Sequence, residues 1–147
     1  MISVLFIVLA SICNAVMDVC SHHFTKSIFT TSKKKIFGVN KHEWWRWWNA
    51  SYSWRNKYVN DDPDYGRRKL GNTELNYPVQ LTDAWHFFKT LMIVFIVLAI
   101  VFYTGHFYAK YRDLGLSPQL ALIGEIIFYG ASWNVFFSLF YKKILRK

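Results

Sequence analysis

Apolar residues in this chain gather into three long blocks instead of alternating with polar ones. The most pronounced block spans residues 91–102, twelve consecutive apolar side chains inside a run from about residue 90 to 109. A soluble element of ordinary length needs no such run, whereas crossing about 30 Å of hydrocarbon takes roughly 20 apolar residues. An earlier block covers residues 2–19, interrupted at Ser11, Asn14 and Asp18. The last begins at Ser117-Pro118 and runs to about residue 141, where Lys142-Lys143 stops it. Serine at the N-cap and proline at the first helical position define that start, because the missing proline N–H would be orphaned there anyway. The pattern predicts an all-α membrane protein with three transmembrane helices. These occupy residues 1–23, 84–109 and 118–147 (the last with a basic tail), joined by a loop at 24–83 and a turn at 110–117.

Composition agrees with this reading. With 53% hydrophobic and 20% aromatic residues in 147, a soluble domain would expose much apolar surface. Charge is segregated: the net value is +9, yet the apolar blocks carry almost none. The first block differs from a cleaved signal peptide, since no basic residue precedes it and no small-residue cleavage site follows. At Ala10-Ser11-Ile12-Cys13, isoleucine stands where a lipoprotein box needs a small residue. It is therefore expected to stay as a spanning helix. Cys13 and Cys20, seven residues apart on that helix, cannot reach each other to form a disulfide.

Lysine and arginine set the expected orientation. Residues 24–83 hold eleven basic against six acidic residues, and Lys142, Lys143, Arg146 and Lys147 follow the third block. The 110–117 connection has only Lys110 and Arg112 beside Asp113. Three spans put the long loop and the C-terminus on one side, which the positive-inside rule makes cytoplasmic, with the N-terminus outside. Lys89, just before the second apolar run, is placed to snorkel to the interface.

The loop divides in two. Residues 24–58 are basic and aromatic, and 59–82 are rich in turn-formers. Trp44, Trp45, Arg46, Trp47 and Trp48, then Trp54, Arg55 and Lys57, interleave rings with cations. Tryptophan favours the headgroup region, so these residues are expected to lie on the membrane and contact anionic lipid, with a short amphipathic helix among them. The same composition suits single-stranded nucleic acid, but beside long apolar spans lipid is the preferred partner. Asn49-Ala50-Ser51 matches a glycosylation sequon that a cytoplasmic loop would not use. The acidic stretch Asp61-Asp62-Pro63-Asp64 lacks the other ligands of a calcium loop and reads as a solvated turn.

Several polar residues stand out against the apolar background. Asn14, Asp18 and His22 recur at four-residue intervals and share a helix face. Asp83 and His86 lie one turn apart at the start of the second span, and Asn134 is placed to face the same end. Asp18, His22, Asp83 and His86, with His23 as a substitute for His22, have the donors for a zinc, manganese or iron site. The structural reading of the same residues is a helix cap at Asp83 or Thr82, surface histidines, and interhelical bonds from Asn14 and Asn134. Glu125 lies about two turns into the third span, where a carboxylate needs a partner, water or protonation. His106 is its expected partner, with Tyr103 next, and a pore lined by Glu125 in an oligomer is the alternative.

The segments Asn14-Ala15-Val16-Met17-Asp18 with His22-His23, Ser53-Trp54-Arg55-Asn56-Lys57-Tyr58 and Thr82-Asp83-Ala84-Trp85-His86-Phe87-Phe88-Lys89 carry a resemblance. They resemble small uncharacterised membrane proteins of Bacteroidetes-type bacteria or their phages, over roughly residues 1–100. The resemblance implies a bacterial inner-membrane location and no particular chemistry. Expected functions are a non-enzymatic subunit of a membrane assembly or a small homo-oligomer, a metal-dependent hydrolase acting at the headgroups, or a pore or proton path.

Overall fold

The computed structural model describes residues 2–30, 41–66, 82–103, 113–115 and 117–147, without the side chains of residues 41–44, 56 and 57. Five α-helices are named here: α1 (Ile2–His22), α2 (Lys41–Trp48), α3 (Ala50–Ser53), α4 (Ala84–Val101) and α5 (Pro118–Leu139). Short 3-10 turns link the loop elements, and no strand occurs among the described residues. Three of the helices, α1, α4 and α5 with its continuation to Leu145, are long and apolar enough to cross a membrane.

Helix boundaries follow local chemistry. Asp83 caps α4, its side chain accepting the His86 N–H at 2.9 Å. Ser117 caps α5 by accepting from Leu120 N, and Pro118 occupies the first turn. Of the expected second span, 84–109, α4 covers Ala84–Val101, and residues 104–110 lie outside the described ones. Beyond α5, Phe140–Leu145 continues as wider π-helical turns. These bring Leu145 into the core while Lys142 and Lys143 stay exposed.

Helix α1 lies between the other two long helices, which share almost no direct contact among the described residues. Its apolar window is 44% buried, against 11% for each of the others. Small side chains permit this two-sided packing: Ala10, Ser11 and Ala15 are completely covered, as are Ala84 and, nearly, Ala121 on the neighbours. Backbones can then approach closely, which maximises dispersion where lipid removes the hydrophobic drive between helices. The Ser11 hydroxyl is satisfied within its own helix, donating to the Val8 carbonyl at 2.8 Å. Phe6 stacks against Phe95 and Phe102 at 6.2 and 5.7 Å, joining α1 to α4.

At the other end of α1 the loop folds back over the bundle. Val16, Val19, Cys20 and Phe24 pack with Trp48, Ala84 and Leu145. Trp48 is central. It is 7% exposed, stacks on Phe29 at 3.9 Å with rings 9° apart, and meets Trp47 edge-on at 5.0 Å. Trp48, expected from the sequence at the headgroups, thus lies among core side chains.

Further along the loop, Asn60 and Asp61 adopt left-handed backbone angles, which short polar side chains tolerate. The turn they make brings Asp61 to an ion pair with Arg46, whose guanidinium also lies 5.0 Å from the Tyr52 ring. Asp61 is thus part of a packed contact and not of a freely solvated turn. A Cβ at Gly66 would stand 2.4 Å from the carbonyl oxygens of Asp62 and Val59, so only glycine closes this turn. The chain beyond α5 returns to the loop: Ser27 and Arg146 form a single antiparallel bridge, and Lys147 N donates to Lys26 O at 2.7 Å.

Replacing Trp48 by alanine is expected to destabilise the protein by about 3–5 kcal/mol, the usual cost of emptying a large aromatic site. Trp45→Ala, at a side chain 37% exposed, should cost clearly less. Reversible unfolding in mixed micelles followed by near-ultraviolet circular dichroism measures the difference.

Candidate functional site

The polar residues singled out above fall at two ends of the bundle. At the loop end, Asp83 is almost fully buried, with 1% exposure. One of its oxygens caps α4, and the other lies 2.7 Å from His86 Nδ1. With its proton on Nδ1, the imidazole donates to this carboxylate oxygen. The Thr82 hydroxyl adds a longer contact to the same carboxylate at 3.4 Å. Trp85 meets the His86 ring edge-on at 5.1 Å, and Lys89 lies over Trp85 at 4.7 Å. The capping role and the imidazole contact share one side chain.

Asp18 and His22 form a separate pair. Their charged atoms are 3.9 Å apart, beyond hydrogen-bond length, and His22 is 70% exposed. Such a contact contributes little in water. Asp18 neighbours the Tyr141 hydroxyl, whose ring lies 5.6 Å from that of His23 and carries Arg146 over its face at 5.4 Å. Helical geometry separates the two pairs: Asp83 approaches α1 on the side of Cys20, and Asp18, two residues earlier, points roughly 200° away around the helix. Among the described residues, no three His, Cys, Asp or Glu side chains come together as a metal would require. The structure brings Asp83 to His86 and Asp18 to His22, and does not join these pairs. Asn14 is half-buried on the Asp18 face of α1.

Asn134 does not face these residues. It is exposed, and its amide donates to the Gly130 carbonyl at 2.9 Å. It follows Glu125 by nine residues, which turns it about 180° away, onto the outer face of α5. Gly130 and Ser138 are exposed on the same face, and a Cβ at Gly130 would meet nothing within 4 Å.

Glu125 sits near the opposite end of the bundle and is 5% exposed. The Tyr103 hydroxyl donates to its carboxylate, the second partner considered from the sequence, while His106 lies outside the described residues. Beside this pair, the Ser3 and Tyr129 hydroxyls are 2.8 Å apart, and the Tyr103 and Tyr129 rings are 6.4 Å apart. All four residues border or adjoin a groove of about 490 Å³ between α4 and α5. Sequence reading missed the Ser3–Tyr129 contact, because nothing local in either segment signals a partner 126 residues away.

Of the residues expected at the headgroups, Trp45 and Trp54 are exposed and Trp47 is half-buried. Arg55 is exposed, with its guanidinium 5.2 Å from the Trp54 ring. The side chains of Trp44 and Lys57 lie outside the described part. Cys13 and Cys20 are both free.

The fold thus defines an all-helical protein with three helices able to cross a membrane. No protein-family profile, curated protein or solved structure matches the chain.

Asp83→Ala removes the cap and the imidazole partner together and is expected to cost about 1–2 kcal/mol. Asp83→Asn keeps a capping oxygen and should recover most of that loss. Equal destabilisation by both substitutions, in the unfolding assay above, would show that the carboxylate charge and not the cap sets the local stability.

Proposed function

We propose that this protein is a non-enzymatic component of a membrane assembly, formed by self-association or with another membrane subunit through the outer face of α5. The observation that carries this reading is Asn134. A carboxamide exposed among apolar neighbours, such as Val135 at 61% exposure, is costly against hydrocarbon. Its one local bond, to Gly130 O, leaves donor and acceptor capacity for a neighbouring helix. Gly130 and Ser138, one turn to either side, would let such a helix come close. The low burial of α4 and α5 supports the same view.

In this proposal the long loop and the chain beyond α5 lie in the cytoplasm and the N-terminus outside, in a bacterial inner membrane. The bridge between Ser27 and Arg146 supports placing loop and tail on one side, and their basic residues favour the inner one. Trp45, Trp54 and Arg55 then contact anionic headgroups. A metal-dependent hydrolase receives less support, because Asp18 and His22 face away from Asp83 and His86. A pore lined by Glu125 receives less support as well, since that side chain faces a groove within the bundle instead of the outer face of α5.

Sedimentation in density-matched detergent, together with subunit counting in nanodiscs, tests this reading. Wild-type protein is expected to be dimeric or larger, or to bring a stoichiometric membrane partner from native membranes. Asn134→Leu should weaken that association about tenfold, the equivalent of the 1–2 kcal/mol of an interhelical polar contact. A monomer without partner under both conditions sinks the proposal.

A further inference from the structure

We infer that the outer face of α5 is covered by the same face of a second copy of this chain, the two helices parallel about a two-fold axis that passes between their Asn134 side chains. The inference rests on the association proposed above and names its partner. Asn134 is exposed, and a carboxamide carries two N–H donors and one carbonyl oxygen. One donor goes to the Gly130 carbonyl of its own helix at 2.9 Å. The other donor and the oxygen make a set that is complementary to itself. A helix of different sequence would have to offer an acceptor and a donor at the same depth, whereas a second copy does so by identity. Chains inserted under one lysine and arginine bias point the same way. A two-fold pair of such chains is parallel, and each carboxamide donates to the other across the axis.

Spacing along α5 extends the contact beyond one side chain. Leu120, Ile123, Ile127, Gly130 and Asn134 follow one another in alternating steps of three and four residues, and all five are exposed. That repeat keeps two parallel helices in contact over several turns. A single asparagine in such a seam fixes register and oligomeric state, because a slip would leave its amide among apolar side chains. Gly130 lets the backbones approach beside it. A Cβ there would meet nothing within 4 Å, so the space over this glycine is open to a helix from outside the chain.

The test uses the full chain in liposomes, with one cysteine added at an exposed position and oxidised by iodine, which enters the bilayer. Ile127→Cys and Ser138→Cys flank Asn134 on the proposed seam, and each should give covalent dimers. Leu122→Cys, also exposed but about 120° round the helix from Asn134, should stay at the wild-type background set by the buried Cys13 and Cys20. Gly130→Leu fills space that is empty in the single chain, so circular dichroism should be unchanged. Its non-covalent dimer in nanodiscs should be about tenfold weaker, the loss expected when the polar contact is held apart. The cysteine variants keep Gly130 and Asn134 and test the pairing even if Gly130→Leu fails to fold. Crosslinking at Leu122→Cys equal to that on the seam overturns the inference, as does undiminished dimer in a folded Gly130→Leu. Loss of crosslinks at both seam positions, as antiparallel pairing would give, overturns it too. Particles holding a different subunit, with no self-crosslink on the seam, overturn this inference and leave the broader assembly standing, whereas a lone monomer overturns both.

Discussion

The close packing of α1 against two helices that scarcely meet each other is the contact on which the architecture rests. Between apolar helices in lipid there is little hydrophobic gain, because a leucine is as well solvated by acyl chains as by another leucine. Association then relies on dispersion over closely approaching backbones. Ala10, Ser11 and Ala15 provide that approach on α1, and Ala84, Ala99 and Ala121 provide it on the facing helices. Without α1, the surfaces of α4 and α5 would have no common partner among the described residues.

Low dielectric governs the polar groups held in this frame. The hydroxyls of Ser11, Thr90 and Ser132 donate to carbonyls three or four residues earlier, so each is satisfied inside its own helix. Other polar contacts among the described residues reach across the bundle. Tyr103 reaches Glu125, and Ser3 meets Tyr129. Both tie the three long helices together at the end away from the loop. Each therefore serves register as well as polar satisfaction, since sliding one helix by a turn would separate the partners.

The loop end is held by a different kind of interaction. Trp48, Phe29, Phe88 and Trp47 form an aromatic cluster over the ends of α1 and α4, and Leu145 joins the adjoining core from the continuation of α5. Rings supply large contact areas with few torsions to freeze, which suits a segment made of short turns. The Arg46–Asp61 pair and the Ser27–Arg146 bridge fasten the rim of this cluster. A basic, tryptophan-rich segment is thus divided between packing and surface: Trp48 turns inward, while Trp45 and Trp54 remain outside.

What the amino-acid order determined by itself is the set of long apolar helices and their starts. Twelve successive apolar residues admit few alternatives, and the Asp83 and Ser117-Pro118 caps act within four residues of themselves. Local physics was enough there. Which helix lies in the middle, which tryptophan is buried and which way each polar side chain faces depended on tertiary packing. A rotation of 100° per residue turns a small uncertainty in register into the opposite face of a helix. For that reason Asp18 and Asp83, both near one end of the bundle, do not meet, and Asn134 points away from the groove that holds Glu125. The contact between Ser3 and Tyr129 has no local cause at all; it exists because the fold lays the start of one helix beside the middle of another.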